Sequence, residues 1–156
     1  MTSQERLQQA LDAAYRFLGR RDRTVAEVRE RLEADDIEPE VIDAAIEELA
    51  RMGYLDDARY AQRFAEDRRT IDAWGAERIE RRLLAVGVDP ALIVAALGER
   101  GAAEELEAAV AVLRRRFPRV PADDRARDRA LGMLVRKGYD LELAYDAIRA
   151  YERDAA

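Results

Sequence analysis

The sequence has no cysteine, no histidine and no asparagine, and only one serine (Ser3) and one lysine (Lys137) among 156 residues. Each gap removes a class of chemistry. Without cysteine there is no disulfide framework, no thiolate nucleophile and no thiolate-ligated zinc. Without histidine the commonest general base and transition-metal ligand are missing. Ser3 lies at a chain end, where order is usually poor, and is a weak candidate for a nucleophile. Lys137 follows Arg136 with no glycine-rich turn before it, so there is no Walker-type phosphate loop. Carboxylates, Tyr and Arg remain, which argues against an enzyme, and no cofactor or metal is expected. No stretch approaches the roughly 18 uninterrupted apolar residues of a membrane span, and the first residues are charged throughout, unlike a secretory signal. A soluble, cytoplasmic chain is expected.

What the chain does have is 30 Ala, 26 Arg and 33 acidic residues, with a formal net charge of −6. Ala, Leu, Arg and Glu are good helix formers. β-branched residues are scattered, with no useful period-two run, so the chain reads as all-α. Helix ends are marked in several places. Thr24 and Glu27 form a capping box. Pro39 and Pro90 suit first helical turns, Asp56 and Asp140 are good N-caps, and Gly53, Gly87 and Gly138 are stops. About nine helices of roughly 10–18 residues follow from these signals. Trp74, the only tryptophan, precedes Gly75 at a helix junction and is expected to be buried.

The chain also repeats itself at a spacing of 51 residues. Leu32, Leu83 and Leu134 keep it, as do Ile37, Val88 and Tyr139, and Glu38, Asp89 and Asp140. Val41, Leu92 and Leu143 follow the same interval, with Ala45, Ala96 and Ala147, and Ile46, Leu97 and Ile148. Such a period marks tandem units that share buried faces. Each unit is three helices: the second ends in a tight turn, an apolar residue plugs that turn, and an acidic cap starts the third. The expected repeats are residues 5–53, 54–101 and 102–153. Gly87 and Gly138 match in the turn, where the first copy has Asp36.

Three stretches carry a resemblance to the RecX family of regulators of the RecA recombinase. Thr24 to Leu32 is similar to the family's opening run. Gly53-Tyr54-Leu55-Asp56-Asp57-Ala58-Arg59-Tyr60-Ala61 resembles its most specific signature. Gly75, Arg78, Ile79, Leu83 and Gly87, on through Leu97, resemble a third run. The likeness extends from about residue 6 to 151 and is weakest in the third repeat. It implies an elongated, curved array of three-helix repeats, a monomer and not an enzyme. It implies binding to RecA, or to its filament on single-stranded DNA. The implied effect is mainly inhibition: of filament extension, ATPase, strand exchange and coprotease activity, in DNA repair, homologous recombination and the SOS response. Asp36 departs from the glycine usual in the family, and Ala85-Val86 lack the basic residue usual before Gly87.

All the net negative charge falls in residues 1–50, with 7 Arg against 13 acids. That third is a poor surface for DNA, whose attraction depends on Lys and Arg neutralising phosphate. It suits either a solvated helix face or contact with a basic protein groove. The partner-binding candidates are Arg68, Arg69, Arg78, Arg81, Arg82, Arg114, Arg115 and Arg116. Arg78, Arg81 and Arg82 lie close on one helix face, while Arg114 to Arg116 must fan out. Contact with RecA or DNA and pairing with nearby surface acids are both open for them. Gly53, Tyr54, Leu55, Asp56, Asp57, Tyr60, Ala61, Gly75, Ile79, Leu83 and Gly87 read as largely structural. Two other functions stay open: a nucleic-acid-binding module, for which the acidic charge predicts weak direct DNA binding, and a general protein-interaction scaffold.

Overall fold

The computed structural model describes residues 1–156 and contains helices but no strand. The helices are α1 Ser3–Leu18, α2 Val25–Ala34, α3 Pro39–Arg51, α4 Asp57–Ile71, α5 Ala76–Ala85, α6 Pro90–Leu97, α7 Ala102–Arg116, α8 Asp124–Lys137 and α9 Leu141–Ala155. They run from 8 to 16 residues, so α6 is shorter than the sequence suggests.

Local chemistry sets the ends. In the Thr24 capping box the Thr24 hydroxyl accepts the Glu27 N–H at 3.1 Å, and the Glu27 carboxylate accepts the Thr24 N–H at 3.1 Å. A second box, Thr2 with Glu5, starts α1. Pro39 and Pro90 begin α3 and α6. The start of α8, unmarked by the sequence reading, is set by Asp123, which accepts the Ala126 N–H at 2.8 Å.

The second helix of each triplet closes in the same way. Ile37, Val88 and Tyr139 donate their N–H to the carbonyls of Leu32, Leu83 and Leu134 at 3.2, 3.0 and 3.1 Å. These are the six-to-one bonds of Schellman turns, which need a residue in the left-handed region. Asp36 (φ 59°), Gly87 (84°) and Gly138 (102°) supply it. The 51-residue repeat of the sequence is therefore a repeat of hydrogen bonds.

The chain divides into two compact units. The first is Met1–Gln62 with Leu83–Ile93, the second Arg63–Arg82 with Val94–Ala156. In the first, α1, α2 and α3 pack around Leu11, Val28, Leu32, Ile42 and Leu49. Ala10, Ala14 and Ala45 in that core are fully buried, and their small side chains let the helices approach closely. In the second unit, α7, α8 and α9 pack around Leu113, Leu134, Tyr139 and Ile148.

Within each unit the second helix of one triplet opens onto the Schellman turn of the next. In the first unit the buried Thr24 hydroxyl donates to the Val86 carbonyl at 2.5 Å, and the Val25 N–H is held by Asp57 Oδ1 at 3.0 Å. In the second unit the Gly75 N–H donates to Lys137 O at 2.8 Å and the Glu77 N–H to Gly138 O at 2.9 Å. There Ala76, 51 residues after Val25, gives its N–H to Glu105 Oε2 at 2.8 Å. Both helix starts thus have orphan donors capped by a carboxylate of the next triplet's first helix. The approach is tight. A Cβ on Gly87 would collide with Ala26, and one on Gly138 would lie 2.6 Å from the Arg78 nitrogen. Asp36 is exposed and its turn receives no helix, which is why a residue with a side chain is tolerated there.

Two outcomes follow for stability. Gly87→Ala and Gly138→Ala each lower the unfolding free energy by about 2 kcal/mol or more, because αL strain of about 1–2 kcal/mol adds to a clash, with the Ala26 Cβ at Gly87 and with the Arg78 backbone at Gly138. Asp36→Gly raises it by up to about 1 kcal/mol. Urea unfolding followed by circular dichroism measures both.

Asp57 gives a pH test. Burial, with Asp56 and Glu27 nearby, pushes its carboxyl above the usual carboxylate range, and the Val25 N–H opposes the shift. The folded chain therefore holds the proton more tightly than the unfolded one, and this contribution to stability is lost as pH rises above the ordinary carboxylate range and through the raised titration of the folded group. Asp57→Asn keeps an acceptor for Val25 and removes the buried charge. Its melting temperature at neutral pH matches or exceeds that of the wild type, while Asp57→Ala costs about 1 kcal/mol. A lower melting temperature for Asp57→Asn than for Asp57→Ala overturns this assignment.

Candidate partner-binding surface

Arginine is the abundant cation here, and most surface arginines pair with acids when they can. In the first unit six do: Arg6, Arg21, Arg23, Arg29, Arg31 and Arg51. That unit has nine Arg against sixteen acids, a net of −7. Glu30, Glu33, Glu40 and Glu47 on α2 and α3 are exposed and outside any ion pair. The second unit has eighteen basic residues against seventeen acids, a net of +1. The negative charge of residues 1–50 is thus a property of one compact body.

The eight candidate arginines all belong to the second unit, but in different environments. Arg68 is bonded to Asp72 at 2.5 Å and lies 5.9 Å from the Trp74 ring centroid. Arg69 is half-buried and donates to Leu97 O at 3.1 Å. Burial, with Arg100 close by, holds its guanidinium below the ordinary range. Arg78 stacks over Trp74 at 4.1 Å and donates to Arg136 O at 3.3 Å. Trp74 itself is half-buried, so its expected burial is met in part. These three arginines are engaged in contacts within the second unit and do not form one free patch with Arg81 and Arg82, which are exposed and outside any ion pair.

Arg114 is paired with Asp154 at 2.6 Å. It lines a groove of about 770 Å³ with Arg115, Arg69 and Leu106. Arg116 lines a different groove, of about 590 Å³, with Arg125, Arg129 and Arg136. The three consecutive arginines fan out as their spacing requires. Arg125, Arg129 and Arg136 were missed in the sequence reading, although their i, i+4, i+11 spacing puts them on one helix face and is visible without a structure.

The signature residues are structural. Leu55 and Ala61 are buried, and Tyr54 is exposed with its ring edge-on to Tyr15 at 5.4 Å. Asp56 caps α4 through the Arg59 N–H at 3.0 Å, whereas Asp57 caps α2. The two carboxylates are adjacent in sequence, yet the second serves another helix. Gly75, Ile79, Leu83 and Gly87 form the closing turn of α5 and its docked start. No cluster of acids has the number and placement to hold a metal ion, and no helix is long and apolar enough to cross a membrane.

Comparison with known proteins adds an independent line. Residues 10–49 match the first three-helix domain of RecX, residues 56–97 the second and residues 103–148 the third. The regulatory protein RecX of Trichlorobacter lovleyi is 38% identical over 135 residues, covering 84% of this chain and 88% of the relative. That of Mycobacterium avium is 32% identical, covering 93% and 86%. The crystal structure of RecX from Lactobacillus salivarius superposes with a TM-score of 0.82 at 21% identity, over 95% of this chain and 97% of the other. Nine helices in three triplets, the first two bridged by the signature carboxylate Asp57, and family matches to all three triplets together establish that this chain belongs to the RecX family of regulatory proteins.

Proposed function

We propose that the protein acts by stoichiometric binding to RecA, or to the RecA filament on single-stranded DNA. Bound there it restrains filament extension, and with it ATPase, strand exchange and coprotease activity, as a cytoplasmic monomer serving homologous recombination, DNA repair and the SOS response. The observation that carries this reading is the match of all three triplets to a family of regulatory proteins. Two features support it. The carboxylate pair Asp56 and Asp57 is consumed by helix caps, leaving no arrangement of general acid and base at the signature. The uncommitted charge sits at the surface: acids on α2 and α3 suited to a basic groove, and Arg81 and Arg82 on α5 suited to an acidic patch.

Purified protein added at sub-stoichiometric amounts lowers RecA ATPase on single-stranded DNA and slows strand exchange. Unchanged rates in both assays overturn the proposal. Arg81→Glu with Arg82→Glu raises the concentration for half-inhibition about tenfold, the worth of roughly 1.4 kcal/mol, without changing the melting temperature.

A further inference from the structure

Three arginines bury an Nε that has no hydrogen-bond partner: Arg23, Arg68 and Arg69. Arg23 and Arg68 each face a carboxylate, of Glu27 and Asp72. Arg69 alone of the three is in no ion pair. Its guanidinium donates to the Leu97 carbonyl at 3.1 Å, a neutral partner. Burial and the neighbouring Arg100 hold its basicity down, and the surrounding Glu105, Glu99 and Glu104 offset this only in part. The fold has thus taken a cation partly out of water without a paired counter-charge, an arrangement that costs stability until an anion reaches it.

Arg69 lines the groove of about 770 Å³ that follows α7 and α9. Its charged neighbours Glu104 and Glu105 place it beside the first turns of α7. Arg115, exposed and also outside any ion pair, lines the groove at the last turn. Between these two cations the lining is aliphatic: Leu106 and Ala150 are half-buried and Ala111 is exposed. Leu106 to Arg115 covers about 14 Å of helix, roughly two and a half turns. Arg114 is already paired with Asp154, and Glu107 is the other acid in the lining.

We propose that this groove receives an acidic amphipathic helix of a partner protein, with carboxylates on Arg69 and Arg115 and apolar side chains between them against Leu106, Ala111 and Ala150. Such grooves take apolar anchors at three- and four-residue spacing, and the small alanines let a helix backbone come close. Guanidinium forks near both ends fix its register through bidentate bonds to carboxylates. A nucleic acid is matched poorly. The lining holds no aromatic ring for a base, and Glu107 and Asp154 oppose a run of phosphates. A lipid surface is flat and cannot follow a recessed floor. Neither the site nor its occupant requires RecA to be the partner.

The test uses the full chain, without RecA, and a fluorescein-labelled peptide of about three helical turns. Leucines recur in it at three- and four-residue spacing, flanked by Asp and Glu. Anisotropy is expected to show saturable binding that weakens but persists as salt rises, because apolar contacts are not screened. Arg115→Glu weakens it about tenfold or more. Arg69→Gln, which keeps a donor for the Leu97 carbonyl, has an effect of the same size. Ala111→Glu places a carboxylate in the floor at an exposed position, so the fold is kept and binding is lost. Arg129→Glu on α8, which makes the same charge change as Arg115→Glu outside this groove, leaves affinity within about twofold. The proposal is overturned by no binding, or by equal losses in the Arg115→Glu and Arg129→Glu variants. It is overturned equally by polyglutamate, or a peptide with glutamine for each leucine, binding as tightly. Displacement of the peptide by oligothymidylate or by phosphatidylglycerol vesicles also overturns it. No step involves RecA, so failure here leaves the regulatory reading standing.

Discussion

The bond between a helix start and the closing turn of the equivalent helix in the next triplet is the contact on which the rest of the structure depends. Amide groups at a helix N-terminus and carbonyls at a C-terminus are unsatisfied within their own helix, and burying them unpaired is costly. Here the two deficits meet. Gly75 and Glu77 give their N–H groups to Lys137 and Gly138 carbonyls, while Thr24 reaches Val86 through its hydroxyl. The carboxylates of Asp57 and Glu105 take the next amide in each case. Satisfying both ends at once brings the helix start so close to the receiving turn that no Cβ fits there. Glycine at 87 and 138 and the acid early in the following helix are consequences of that single contact.

Much of this was legible in the sequence. The Thr24 box, the prolines of α3 and α6, and the 51-residue spacing each describe bonds between residues close in the chain, and such bonds leave local patterns. The other half was not legible for a physical reason. Asp57 binds an amide 32 residues back and Glu105 one 29 residues back, and neither distance has a periodicity attached to it. From sequence Asp56 and Asp57 look like equivalent caps; only the packing shows that they serve different helices. The arginines divide in the same way. The fanning of Arg114 to Arg116 follows from helix geometry alone, whereas the commitment of Arg69 to Leu97 and of Arg78 to Trp74 depends on tertiary contacts.

The charge distribution completes the account of a chain without nucleophiles. The first unit spends its arginines on neighbouring acids and still carries surplus carboxylate, while the second spends some on its own architecture and leaves a distinct set free. A protein with no histidine, cysteine or usable serine acts through what its surface presents. Two bodies of opposite charge character allow one chain to present both an anionic and a cationic face. Family membership names the class of activity, and the accounting of paired and unpaired arginines narrows where its contacts lie.

The exposed turn at Asp36 bears on how such chains change length over evolution. Tandem arrays grow by duplicating a unit. A copy of the first triplet inserted in front of the existing one would place Asp36 at an internal position, against the opening of a new second helix. Its side chain would then occupy the space that Gly87 and Gly138 leave empty. Lengthening from that end therefore needs a point substitution to glycine in addition to the duplication. The residue that departs from the usual pattern thus suits an open turn and is incompatible with a docked one.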